Sequence, residues 1–181
     1  MNKVLFIDRD GVINKEKEYV YRIEEFEFID GVFDALKKFN LLGYLIIIIS
    51  NQAGIGRGLY TEEDFKNISE WMLEEFRKHE VIITDIFYDP HHPVYGVGKY
   101  KKDSFDRKPN PGMIFKAVKK YDIDLKNSLL VGDTVSDIKA GINAGVETLF
   151  LVRTGYPVDE TNIPANCIVI DVLNDIFKFL G

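Results

Sequence analysis

The chain has 181 residues, 46% of them hydrophobic and 29% charged, with a formal net charge of −6, which suits one soluble domain with a sizeable core. The acidic balance excludes a general nucleic-acid binder, because phosphate backbones attract basic surfaces. A lone cysteine, Cys167, excludes an internal disulfide and fits a reducing compartment; no apolar run approaches the ~20 residues of a membrane span, and that in MNKVLFIDRDG is too short for a secretion signal, so a cytoplasmic protein is expected.

Val4–Ile7 is a continuous apolar run, the pattern of a strand buried on both faces. Residues 32–42 read as a helix stopped by Gly43, a residue suited to the left-handed position beyond a helix end. Leu45–Ile49, rich in β-branched residues, is a second strand. Thr61, followed by Glu62, Glu63 and Asp64, reads as an N-cap with an acidic first turn, opening a helix that runs to about Lys78. A third strand is expected at Ile82–Tyr88. Residues 89–109 then carry proline, glycine, histidine and lysine without periodicity, and loops of such length are functional or disordered. Asn110 and Pro111 read as a cap and a first helical residue of a helix to about Lys120. Ser128–Val131, Thr148–Val152 and Cys167–Ile170 complete the strands. Val135–Ala144, ended by Gly145, and Val172–Leu180 complete the helices. The alternation predicts a doubly wound α/β fold with a mostly parallel sheet, as one domain over residues 1–181 with a long loop at about 89–110.

The chemistry sits at the carboxyl ends of the strands, where open α/β sheets bind ligands. Asp8-Arg9-Asp10-Gly11 follows the first strand, and its two carboxylates can converge on one cation; as a lone motif it is equally a strand-terminal turn. Ser50 and Asn51 follow the second strand and offer a hydroxyl and an amide to phosphate oxygens, or are ordinary turn residues. Gly132-Asp133 follows the fourth, with Asp137 at the next helix start. There Asp137 can serve the helix dipole or a magnesium site, since magnesium takes hard oxygen ligands and keeps several waters. Lys108, with Arg107 beside it, can neutralise a phosphate or be a solvated charge. The combination points to phosphoryl chemistry.

In Asp8-x-Asp10-Gly11, Ser50, Lys108 and Gly132-Asp133-x-x-x-Asp137, taken in that order, the chain resembles the haloacid dehalogenase-like phosphatases. The segments DRDGVIN, SNQAGIGRG, DPHHP and RKPNPGM resemble the D-glycero-D-manno-heptose 1,7-bisphosphate 7-phosphatase family, with histidinol-phosphate phosphatases as near relatives. The resemblance implies that Asp8 is the nucleophile and Asp10 the acid–base. Mg2+ is held by Asp8, Asp133 and the Asp10 carbonyl, with Asp137 orienting that shell. Ser50, Asn51 and Lys108 bind the phosphoryl oxygens and Gln52 and Arg107 the substrate, with Arg57 and the segment Glu16–Tyr19, Tyr19 above all, at the rim. The family lacks a large cap domain, and no insertion between Asp10 and Ser50 or between Ser50 and Lys108 is big enough for one. A small phosphorylated sugar is the expected partner of a monomeric enzyme.

Members of that family carry a structural zinc on Cys-x-His and Cys-x-Cys. The corresponding positions here are Asp89-x-His91 and Ser104-x-Asp106, so no zinc is expected. His91 and His92 then become packing or hydrogen-bonding residues, and Tyr95, Tyr100 and Phe105 are expected to pack the loop against the sheet.

Three alternatives stay open. One is a histidinol-phosphate or other small-metabolite phosphatase. Another is a phosphoacceptor signalling domain, which shares the strand-end aspartate, hydroxyl and lysine but has no use for Asp10. The third is a binding module that has lost activity.

Overall fold

A computed structural model describes residues 1–181. Six strands, β1 Val4–Ile7, β2 Leu45–Asn51, β3 Asp85–Asp89, β4 Leu129–Gly132, β5 Thr148–Val152 and β6 Cys167–Ile170, form one sheet in the order β3-β2-β1-β4-β5-β6. Every pairing is parallel. The strand order reverses between β1 and β4, and a crevice opens at the carboxyl ends of strands where such a reversal occurs.

The helices are α1 Val32–Leu41, α2 Ala53–Gly56, α3 Glu62–Lys78, α4 Gly112–Tyr121 and α5 Val135–Ala144. Alternate strand residues point to opposite faces, and each face has its own core. On one, Leu5, Ile7, Ile46, Ile48 and Phe150 pack against Leu36 and Phe39 of α1 and Met72 and Phe76 of α3. On the other, Val4, Phe6, Ile47, Leu130 and Leu149 meet Met113 and Ile114 of α4 and Ile138 of α5. Burial on both faces is why these strands read as unbroken apolar runs. No helix is long and apolar enough to cross a membrane. Between β1 and α1 lie only isolated bridges and the 3-10 turn Ile23–Glu25, so no large cap covers the crevice.

Several boundaries differ from the expectations. β3 starts at Asp85 instead of Ile82, whose side chain is exposed; its backbone is held by Asn40, with the Ile82 N–H donating to Asn40 Oδ1 and Asn40 Nδ2 to the Ile82 carbonyl. Ser128 lies outside β4, where its hydroxyl accepts from the Val4 N–H and donates to the Asp124 carbonyl. The helix after the long loop begins at Gly112, not Pro111, because Asn110 turns its amide back onto the Ser104 carbonyl. The C-terminal segment is a 3-10 helix over Leu173–Lys178. α2 was not anticipated. The Thr61 cap is present in full, with Thr61 Oγ1 accepting from the Asp64 N–H and Asp64 Oδ2 from the Thr61 N–H.

Candidate active site

β1 and β4 deliver the acids. Asp8 directly follows β1, and the chain turns sharply through Gly11, whose φ of +87° lies in the left-handed region. A Cβ on Gly11 would sit 2.2 Å from Asp133 Oδ2, so this position needs glycine for conformation and for the close approach of Asp133. Gly132 plays the matching part for Asp137, whose Cβ would lie 2.2 Å from one added there. Asp137 caps α5: its Oδ2 accepts from the N–H groups of Asp133 and Thr134 and from the Thr134 hydroxyl. The carboxylates of Asp8, Asp133 and Asp137 come within 4.8 Å of one another. The long loop closes on them through Lys108, only 4% exposed. Its Nζ lies 3.0 Å from Asp8 Oδ1 and 2.6 Å from Asp137 Oδ1, and donates to the Ile49 carbonyl. All three ammonium donors are thereby used.

Asn51, expected on the phosphate, lines the cleft and also ties the long loop in place. Its Oδ1 accepts from the Lys108 N–H and its Nδ2 donates to the Lys108 carbonyl, both at 3.0 Å, tying the loop to the end of β2. Gln52 is buried, and its Nε2 donates to Asp10 Oδ2 at 3.1 Å and to Ser50 Oγ at 2.8 Å, while Oε1 accepts from Tyr60. Ser50 therefore lies behind Gln52 and does not line the cleft.

Asp10 is held by three side chains. Arg9 donates from Nη2 to Oδ1 at 2.8 Å and from Nε to Oδ2 at 3.2 Å, and Asn14 joins at 3.0 Å alongside Gln52. Arg9 is itself buried, its guanidinium between the rings of Phe26 and Phe65. Sequence reasoning missed Arg9 and Asn14. An arginine in a turn between two acids reads as solvated, and only the fold reveals the aromatic pocket that swallows it.

The electrostatics of the two aspartates are opposite. Burial pushes the Asp8 carboxyl well above the ordinary range, and the neighbouring acids add to the rise against the opposing pull of Lys108. Burial, then Asp137, lifts Asp133 to about 7. Burial works against the Lys108 ammonium, but Asp137 and Asp8 outweigh it and its pKa rises. Burial also works to raise Asp10, yet the charge and hydrogen bonds of Arg9, with Asn14 and Gln52, hold it below its usual value. Three buried carboxylates against one ammonium leave an uncompensated negative charge, which a divalent cation relieves. The donor set fits magnesium: hard oxygens only, with Asp8 and Asp133 accepting from the protein on Oδ1 and Oδ2 respectively and leaving Asp8 Oδ2 and Asp133 Oδ1 free, whereas Asp137 is committed to its cap and Lys108.

These residues floor a cleft of about 550 Å³ whose outer wall carries Glu16, Glu18, Tyr19, Arg57, Arg107 and Tyr156. Tyr19, with φ +41°, accepts from Arg57, whose guanidinium lies over the rings of Tyr19 and Tyr95. Tyr95 and Phe105 are exposed, contrary to expectation; Tyr100 alone of the three anchors the loop, packing on the Ile55–Tyr60–Phe65 cluster and donating to Glu62. His92 Nδ1 accepts from the N–H groups of Val94 and Tyr95.

Residues 105–176 match a HAD-hydrolase-like family model. The chain is 48% identical over 178 residues, 98% of its length and 96% of the relative's, to D-glycero-alpha-D-manno-heptose-1,7-bisphosphate 7-phosphatase of Photorhabdus laumondii. It is 43% identical, over 99% of itself and 97% of the relative, to D-glycero-beta-D-manno-heptose-1,7-bisphosphate 7-phosphatase of Haemophilus influenzae. Among solved structures, D,D-heptose 1,7-bisphosphate phosphatase from B. bronchiseptica, complexed with magnesium and phosphate, superposes with a TM-score of 0.88 at 27% identity, covering 98% of this chain and 97% of that one. The strand-end acids, the buried lysine and these near-full-length likenesses agree: the chain belongs to the haloacid dehalogenase-like phosphatases, magnesium-dependent phosphoric monoester hydrolases, in the family of the heptose-1,7-bisphosphate 7-phosphatases.

Proposed function

We propose that this chain removes the 7-phosphate of D-glycero-D-manno-heptose 1,7-bisphosphate through an aspartyl-phosphate on Asp8. The observation that carries the reading is the meeting of Asp8, Asp133 and Lys108 at the floor of a cleft, with Asp10 two residues from the nucleophile in a different electrostatic setting. An Asp8 oxygen attacks phosphorus, the bond from phosphorus to the sugar oxygen breaks, and the Asp10 carboxyl gives its proton to that oxygen. Water then attacks the phosphorus, Asp10 takes its proton, and the bond to Asp8 breaks to release phosphate. The Asp8 and Asp133 carboxylates and the Asp10 carbonyl would hold magnesium, which would supply neutralisation of charge on the phosphoryl oxygens. Lys108 orients Asp8 through its ammonium, and its positive charge offsets that of the arriving phosphoryl group.

The free protein has Asp8 raised and Asp10 lowered, the reverse of what the first step requires. A cation beside Asp8 favours its carboxylate, and an arriving phosphate dianion beside Asp10 favours its protonated form. Bound together, substrate and metal would favour the order that the first step requires.

The outer wall supports a bisphosphate. Arg57 and Arg107 are its cations, and a sugar with a second phosphate gives them a partner. The higher identity to the relative named for the alpha anomer, 48% against 43%, supports the alpha substrate. A second reading, histidinol phosphate, is favoured by Glu16 and Glu18 on the same wall, which suit an ammonium. We take the enzyme to act as a monomer in the cytoplasm, where a lone, unpaired cysteine suits a reducing compartment.

The test is phosphate release with magnesium from both heptose bisphosphate anomers and from histidinol phosphate. The alpha bisphosphate is expected to give the highest kcat/KM. A preference for histidinol phosphate would transfer the function to the second reading, and no turnover of any of them would end both.

A further inference from the structure

The catalytic reading leaves unused a buried acid at the edge of the sheet. Asp89 closes β3 with only 1% of its surface exposed. Its Oδ1 accepts from the Ser104 hydroxyl at 2.6 Å and from His91 Nδ1 at 2.9 Å, and its Oδ2 from the His91 N–H at 3.0 Å. Its carbonyl accepts from the Gln52 N–H, beside Asn51 and the phosphate end of β2. Ser104 carries the bonds onward. Its hydroxyl accepts from the Asp106 N–H, and its carbonyl from the N–H of Arg107 and from Asn110. Arg107 Nη1 closes the circuit on the His91 carbonyl at 3.3 Å. Both ends of the long loop thus meet at one carboxylate.

These positions do not fit the zinc that the family resemblance assigns to them. Asp89 and Ser104 are bonded to each other, and the His91 nitrogen facing them is already taken. Asp106 turns away to pair with Lys116. A serine hydroxyl is a poor zinc ligand, and no thiolate is present. The acids and histidines near enough to share an ion are Asp8, Asp133 and Asp137, on the other side of Lys108. A buried carboxylate with three donors is, by contrast, a stable arrangement without metal.

We propose that Asp89 is a positioning residue: its carboxylate fastens the two ends of the loop in place of a metal and, through the His91 carbonyl, sets the Arg107 guanidinium at the cleft. The part concerning Arg107 rests on the phosphatase reading; the fastening does not.

The experiment measures zinc content, Tm and steady-state kinetics on the full chain. Purified protein holds far less than one zinc per chain, and a zinc chelator leaves its Tm unchanged. Ser104→Ala, which removes one donor to Asp89, lowers Tm by about 5 °C and raises KM for heptose bisphosphate about 5-fold with kcat little changed. In an Arg107→Ala background the same substitution leaves KM alone. Asp89→Cys, Ser104→Cys and Asp106→Cys together, with His91, take up one zinc and gain Tm with it; should that protein not fold, Ser104→Ala decides. Zinc near one per chain in the unmodified protein, or an unchanged Tm in Ser104→Ala, overturns the fastening. An equal KM rise with and without Arg107 overturns the positioning. If the bisphosphate is not a substrate at all, the functional reading falls while zinc content and Tm still judge the fastening.

Discussion

The cleft's inner and outer walls are built on opposite plans. The inner wall stands on strand ends, where the parallel ladder fixes the backbone, and it crowds like charges: Asp8 and Asp133 are both raised by burial and by neighbouring acids. The outer wall stands on loops, and its cations are held by rings and a backbone carbonyl without an acidic partner. Arg57 lies on Tyr19 and Tyr95, and Arg107 reaches the His91 carbonyl. The difference separates two tasks. On the proposed function, groups that act as phosphorus reacts are held under electrostatic tension, and groups that would recognise the substrate are held by hydrogen bonds and stacking. The sharpest test acts on the inner wall. Asp8→Asn is expected to lower kcat by at least about 10⁴-fold, because no nucleophile replaces it, while the metal-free protein keeps or gains Tm because a raised carboxylate has gone. A large loss of Tm would break the idea that the inner wall is under tension. Asp10→Asn is expected to cost about 10²–10⁴-fold in kcat, the usual worth of a positioned acid–base, with KM little changed.

The inner wall was also the legible part of the sequence. Strands buried on both faces write themselves as apolar runs, so Val4–Ile7 and Leu45–Ile49 were readable, and an acid or hydroxyl just after such a run is placed by topology alone. Asp8, Asp10 and Asp133 follow such runs, whereas Lys108, on the long loop, joined them only through the combination of the four motifs. What the sequence concealed depends on contacts between distant segments. Arg9 is buried because Phe26 and Phe65 come from elsewhere to flank it. Asn110 looked like a helix cap because local spacing cannot show that the Ser104 carbonyl competes for its amide. Tyr95 and Phe105 looked like anchors because aromatic residues usually are, yet the loop is held by Tyr100 and by the polar bonds at Asp89. Ile82 looked like strand because it is β-branched, although Asn40 draws its backbone off the sheet.

The tension also has a pH signature. Burial, then Asp137, pushes the Asp133 carboxyl up to about 7 from an ordinary 3.8, so its ionisation costs the native state more than the unfolded one. That penalty is absent below about pH 4 and complete above about pH 7, and stability from this group falls as pH rises through the window. Without magnesium, Asp133→Asn should match the parent Tm near pH 4 and exceed it by about 5 °C at pH 8. Magnesium should raise the parent Tm more at pH 8 than at pH 5 and should do little for the variant. A magnesium effect that survives in Asp133→Asn, or a Tm gap independent of pH, would show that the acid is not under strain.

The smallest effect is expected on the outer wall, where the comparison can be sharpened most. Arg57 is half-free: its guanidinium rests on two rings and donates to Tyr19, and cation–π contacts at exposed sites contribute about 0.5–1 kcal/mol. Arg57→Ala should therefore leave Tm within about 2 °C of the parent. If Arg57 meets the second phosphate, KM for the bisphosphate should rise about 10-fold, one charge-assisted contact, while KM for the 7-monophosphate of the same sugar stays put. Tyr19→Phe removes the acceptor but keeps the ring, and should produce a fraction of that rise. An equal KM change on both substrates would mean that Arg57 shapes the cleft without reading the second phosphate, leaving Arg107 as the cation that does.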